Sequence, residues 1–363
     1  NCFRKAGLND ESLSAAINHA EILVLEADEA LGRPHGGHAV AAQFVERAIQ
    51  AFRRISGTES RRDELHRRLV KHQKNIQREM SSTPVGELDL SEHVLRARDE
   101  VAGKSFSEAL KILALSGCSP DKAELRQNSV EQIRQYTFSF LWPSTTVSAT
   151  GKTVAQHPGV SPSADEADES VILREMYSLA RLQQQVAVVG RINPMRQLIV
   201  HEHAVRIHSF LEIVRFNPLI PQGREYIIAR GLCAGMHGDF LVGLHLLIPQ
   251  LEHAMRELLE SRDAITSSLR PSGIQQEHLL GRLFIDFETE LETIFGIDTV
   301  FDLRGLLIEQ ESCNFRNLLA HGMLPMEACY SSTAIYIWWI ILRLVVIGHV
   351  RGHELRHEIR TES

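Results

Sequence analysis

The segment Asn314-Phe315-Arg316-Asn317-Leu318-Leu319-Ala320-His321-Gly322 holds side chains that can act on a phosphodiester. A guanidinium stabilises charge developing on phosphorus-bound oxygens. An imidazole moves a proton to or from a reacting oxygen near neutral pH. RNA carries its own nucleophile, the 2′-hydroxyl, so this pair of groups can cleave it without a metal ion. Asn317 and His321 are four residues apart and share a helix face, with Arg316 at its edge. Phe315, Leu318 and Leu319 follow i, i+3, i+4 spacing and should face a core. Gly322 suits a left-handed C-cap, which places His321 at the helix end, where carbonyl dipoles favour an imidazolium. The same spacing also suits a structural role, with Arg316 paired to Glu309 or Glu311 and His321 capping the helix.

The elements that must position these residues read as helices, and no run of strand alternation stands out. Leu13, Ile17, Ala20 and Val24 fall on one face, as do Val40, Phe44, Ala48 and Phe52. Further helices are expected over about 92–114 and before Trp142. Residues 143–170 are rich in Ser, Thr, Pro and Gly and read as a linker or mobile loop. Ile172, Met176, Leu179 and Val186 then form a stripe, and Asn193-Pro194 suggests an N-cap followed by proline at the first helical position. Beyond residue 225, Phe240, Leu244, Leu247, Leu251, Met255 and Leu258 make another stripe with Pro249 inside it. Later helices begin near Leu279, near Asp298 or Thr299, and at Asn314, and a long apolar helix follows Pro325. The expected fold is all-α: an N-terminal helical region (1–142), the linker (143–170), a helical connector (171–224) and a four- or five-helix bundle (225–363).

Charge separates the two halves. The net charge of the 363-residue chain is −7. From Arg230 onward there are eleven arginines, no lysine and eighteen carboxylates, a balance of −7, so the first 229 residues are neutral. That deficit argues against a broad nucleic-acid-binding surface. The most basic stretch, Arg61 to Arg78, interleaves Glu59, Asp63, Glu64 and Glu79, and reads as a solvated helix with internal ion pairs or as a phosphate-contacting surface. Gly151-Lys152-Thr153 lacks the earlier glycine of a phosphate loop, since Thr146 stands there. One helix is expected to carry His201, His203 and His208, of which His201 and His208 share a face; no third ligand converges with that pair, so neither metal nor cofactor is expected. Five cysteines (Cys2, Cys118, Cys233, Cys313, Cys329) without a C-x-x-C pair read as buried thiols of a reducing cytoplasm. The apolar run from Ala334 to Ile347 is interrupted by Arg343 and too short to span a bilayer, so a buried helix without membrane insertion is expected.

The nine-residue segment resembles the signature of the HEPN superfamily, which has Arg, usually Asn, three residues, then His. The run Leu247-Ile248-Pro249-Gln250-Leu251-Glu252, followed by Arg256, is similar to the first helix of one HEPN branch. That branch includes the C-terminal domain of the endoplasmic-reticulum-membrane-associated RNA degradation protein. The order of elements is shared over about residues 225–355. The resemblance implies a homodimer in which two Arg…His motifs face one cleft and cleave RNA without metal, leaving 2′,3′-cyclic phosphate ends. Arg316 and His321 would be catalytic, and Asn317 would position phosphate or histidine. Glu252, Arg256 and Asn314 would support the cleft. Family members are often toxins or antiviral effectors, which implies an antitoxin or companion defence subunit as partner. The alternative is a helical scaffold or sensor whose HEPN-like domain dimerises and binds RNA or nucleotide without cutting.

Overall fold

The computed structural model describes residues 9–33, 37–79, 88–135, 144–147, 153–157, 169–269 and 273–362. The fold is all-α, with two short antiparallel hairpins as the only β structure among these residues. Two compact units divide the chain, one of residues 1–87 and 142–159, the other of 88–141 and 160–363. The expected boundary at 142 is therefore displaced, and helices assigned to the N-terminal region belong with the C-terminal bundle.

In the first unit, α1 (Asn9–Ala30), α2 (Gly37–Phe52) and α3 (Glu59–Glu79) pack through small side chains. Ala20, Leu23, Val24 and Ala27 meet Ala41, Val45, Ala48 and Phe52, with Leu65 completing the core. Of the stripe read in α1, Leu13 is exposed. The basic face of α3 is occupied by carboxylates. Arg61 makes a bidentate pair with Glu21 at 2.7 and 2.9 Å and a further bond to Glu64, Arg62 pairs with Glu59, and Arg68 pairs with Asp28. The ion-pair reading of this stretch accounts for these arginines. Strands β1 (Ser144–Val147) and β2 (Thr153–His157) pair within the expected linker. Gly151 and Lys152 lie outside the described residues.

The second unit comprises α4 (Ser91–Val101), α5 (Phe106–Leu115), α6 (Lys122–Gln135) and α7 (Glu169–Ala187), then α8 (Asn193–Glu202), α9 (His208–Val214), α10 (Glu225–Met236) and α11 (Phe240–Glu260). The hairpin β3 (Ser267–Leu269) and β4 (Gln275–Glu277) follows. The unit closes with α12 (Leu280–Asp286), α13 (Glu288–Phe295), α14 (Ile297–Leu307), α15 (Phe315–Ala320) and α16 (Ser332–Glu362). One core runs from Ala97 of α4 to Val346 of α16, so the expected connector over 171–224 is part of this body.

The long helix α16 organises that core. Its window Ser332–Glu354 is long and apolar enough to cross a membrane, yet 72% of it is buried within the protein, as a core helix would be. Its three buried polar-tipped aromatics find acceptors: Trp338 Nε1 donates to Leu232 O, Trp339 Nε1 to Leu113 O, and the Tyr336 hydroxyl to Asp302 Oδ2. Gly235 lets α10 approach this helix; a Cβ there would lie 2.2 Å from the Trp338 ring.

Two local readings change. Asn193 is the first residue of α8 but not an N-cap: α7 runs through a π-helical segment, Val188–Ile192, directly into α8. The wider turn, with Asn193 N–H bonded to Val188 O, accommodates Pro194, which cannot donate to a carbonyl of the preceding turn. His201, His203 and His208 do not share a helix either, because α8 ends at Glu202 and α9 starts at His208. No group of three or more metal-ligating side chains occurs among the described residues. Of the cysteines read as buried, Cys118 is exposed.

Candidate active site

The site is built on two helices that the core holds firmly. On α11, Leu244, Leu247, Ile248, Leu251, Met255 and Leu259 are buried. This leaves Glu252 and Arg256 on the adjoining half-buried face, with side chains 12% and 15% exposed. Helix α15 has only six residues and cannot be stable alone. Phe315 anchors it at 3% exposure and Leu319 packs on the same core. Leu318, expected to face inward, is half-buried and stands outside that core.

The chain enters α15 through Asn314 in the left-handed region (φ 46°), a conformation that Asn tolerates better than most residues. It leaves through His321 and Gly322, whose φ is +64°. Met323 N–H bonds Leu318 O at 2.8 Å and Gly322 N–H bonds Leu319 O, closing a Schellman-type end. The C-cap reading of Gly322 is thus what the backbone does, and it leaves the His321 side chain exposed.

Four of the six expected residues form one bonded network. Arg316 Nε donates to Glu252 Oε2 at 3.0 Å, and Nη2 reaches both carboxylate oxygens at 2.8 and 3.2 Å. Its Nη1 donates to Asn317 Oδ1 at 3.2 Å, and Asn317 Nδ2 donates to Asn314 Oδ1 at 2.7 Å. Arg256 joins more loosely, 3.5 Å from Glu252 Oε1, and is fixed instead by a 2.9 Å bond to His278 O. His321 stands apart from the bonded set, one turn beyond Asn317 on the same helix face. The carboxylate that Arg316 finds is Glu252, sixty-four residues away; Glu309 pairs with Arg304.

Sequence reasoning missed Glu277 and His278. Glu277 Oε2 lies 3.2 Å from Arg256 Nε. His278 is buried behind Arg256, and neither ring nitrogen has a hydrogen-bond partner among the described residues. Its nearest acid is Asp286, 4.0 Å from Nδ1. No spacing signal leads to them, because the β3–β4 hairpin brings them to α11 by tertiary packing.

Chemically, Glu252 grips the Nε–Nη2 edge of Arg316, while Nη1 bonds only Asn317 among the described residues, so its second N–H can meet an anion. The outward group at the helix end is an imidazole. No protein-family model matches the chain, and comparison with curated proteins and with solved structures gave no match either.

Proposed function

We propose that the protein is a metal-independent endoribonuclease whose complete site forms between two copies of the chain. The observation that carries this reading is the edge-on clamping of Arg316 by Glu252, with exposed His321 on the same short helix. In the proposed reaction the RNA 2′-oxygen attacks the adjacent phosphorus and the bond to the 5′-oxygen breaks. One His321 takes the 2′-hydroxyl proton, and the partner copy's equivalent gives a proton to the departing oxygen. The products are a 2′,3′-cyclic phosphate and a 5′-hydroxyl. Arg316 stabilises the charge on the non-bridging oxygens, and Asn317 steadies Nη1. A role as toxin or defence effector follows from the HEPN resemblance, and restraint by an antitoxin or companion subunit follows from that role.

Purified protein incubated with RNA in EDTA tests this. Wild type should cleave, whereas His321→Ala and Arg316→Ala should each lose at least about a hundredfold in rate. Cleavage surviving both substitutions, or abolished by chelation, refutes the mechanism.

A second reading has its own observation. Arg316 is already engaged by Glu252 and Asn317, and the surrounding region is acidic, which suits a dimerising scaffold that binds without cutting. It predicts motif-independent assembly and intact RNA under every condition.

A further inference from the structure

After Arg230, four arginines are held by carboxylates: Arg256 by Glu252 and Glu277, Arg282 by Asp286, Arg304 by Glu309 and Glu288, and Arg316 by Glu252. Arg262, Arg343 and Arg351 differ, having no carboxylate within ion-pair distance among the described residues. Exposed Arg230 on α10 also makes no ion pair among the described residues, so lack of a carboxylate does not by itself single out Arg262, Arg343 and Arg351. These three are, however, gathered together. All three line one cavity of about 420 Å³ whose wall contains no acidic residue.

The rest of that wall is largely apolar. Leu258 contributes from α11, Phe295 from α13, and Ile340, Leu344 and Ile347 from α16. Ile340, Leu344, Ile347 and Arg351 fall at helical spacing along one stripe of α16. Arg343 and Arg351 are eight residues apart, roughly 12 Å along the helix axis. Arg262 and Arg351 are exposed at the rim, whereas Arg343 is half-buried, its guanidinium 6.0 Å from the Trp339 ring centre.

A partly buried cation needs a partner to offset lost hydration. At Arg343 the chain supplies the Trp339 ring face but no carboxylate within ion-pair distance among the described residues. A neutral apolar ligand would leave that need unmet, and a small hydrophilic anion would leave the apolar wall unused. The wall holds one aromatic ring, Phe295, so it is not a platform for stacked bases.

We propose that this trough binds an amphiphilic anion, an acyl-chain carboxylate. Its chain lies along Leu258, Phe295, Leu344 and Ile347, and its carboxylate meets Arg343, with Arg262 and Arg351 adding attraction from the rim. The volume is within the range of small-molecule sites. This site is independent of Arg316 and His321, none of which line it.

The test is calorimetric titration of the full chain with decanoate, decanol and acetate, each below any aggregation threshold. Decanoate should bind once per chain, at least about tenfold more tightly than decanol, and acetate should give no heat of binding. Arg343→Gln should weaken decanoate about tenfold and leave decanol unchanged, because only the charge-assisted contact is lost. Arg351→Gln, at an exposed position that the fold does not use, should weaken it about two- to threefold. Equal affinity for decanoate and decanol, acetate binding as tight as decanoate, or full decanoate affinity in both variants would each overturn the proposal.

Discussion

Asp302 is the most deeply buried acid whose charge state the structure ties to a measurable quantity. It is 2% exposed and accepts hydrogen bonds from the Tyr336 hydroxyl at 2.8 Å and from Gln184 Nε2 at 2.6 Å. Burial outweighs these bonds and pushes the carboxyl up to about 6 from an ordinary 3.8. Between those two values the folded chain holds a proton that the unfolded chain has released, so stability falls as pH rises across the window. A displacement of about two pH units corresponds to about 3 kcal/mol, complete by about pH 7. Asp302→Asn removes the titration. The amide can still accept from Tyr336, and its NH₂ can donate to Gln184 Oε1, a buried atom without a partner among the described residues, once Gln184 turns its amide. The variant should therefore gain up to about 3 kcal/mol relative to wild type near pH 7.5, and little or nothing near pH 4.5. Urea unfolding from pH 4.5 to 8, followed by tryptophan fluorescence, measures this, since Trp338 and Trp339 both lie in this core. A wild-type minus variant difference that is flat with pH refutes the reasoning. So does a variant that is less stable than wild type at pH 7.5.

Two further substitutions probe the site and its support. Glu252→Gln keeps the shape but not the charge that grips Arg316. Because both side chains are more than four-fifths buried, unfolding free energy should drop by about 2 kcal/mol and RNA cleavage should fall with it. Retained stability in a urea melt would mean that the ion pair holds nothing. Gly235→Ala would place a Cβ 2.2 Å from Trp338 Cδ1 and 2.3 Å from Nε1, forcing α10 away from α16. A loss of roughly 1–3 kcal/mol and a red-shifted tryptophan emission are expected; an unchanged melting temperature would contradict the packing.

The fold class was legible because helical stripes are local signals. Phe240, Leu244, Leu247, Leu251 and Met255 repeat every three or four residues, and all are buried. The six-residue helix after Asn314 was legible for the same reason, its end marked by Gly322. The boundary between units was not, since it depends on which distant helices share a core. Leu113 of α5 accepts from Trp339, 226 residues later, and no local composition shift announces such a contact. The β1–β2 hairpin was hidden for a related reason, its Ser and Thr residues reading equally well as loop. At the site, spacing brought Asn317 into register with His321 but could not name the carboxylate for Arg316. Glu309 was nearer in sequence, yet Arg304 holds it at 2.6 Å.

The acidic balance of the C-terminal half looks like an obstacle to RNA cleavage until the arginines are followed individually. Glu252 is shared between Arg316 and Arg256, so one carboxylate faces two guanidiniums. The remaining compensation comes from Glu277, whose side chain is 61% exposed and whose field is strongly screened by water. The formal balance of these four groups is zero, but its buried part, Arg316, Arg256 and Glu252, holds one more positive than negative charge. Such an arrangement attracts a single phosphate at short range without recruiting a long polyanion by counterion release. A nuclease built this way would draw its substrate contacts from few groups and its discrimination from shape. Broad basic patches are dispensable on this design, and the free arginines of the trough remain available for a different anion.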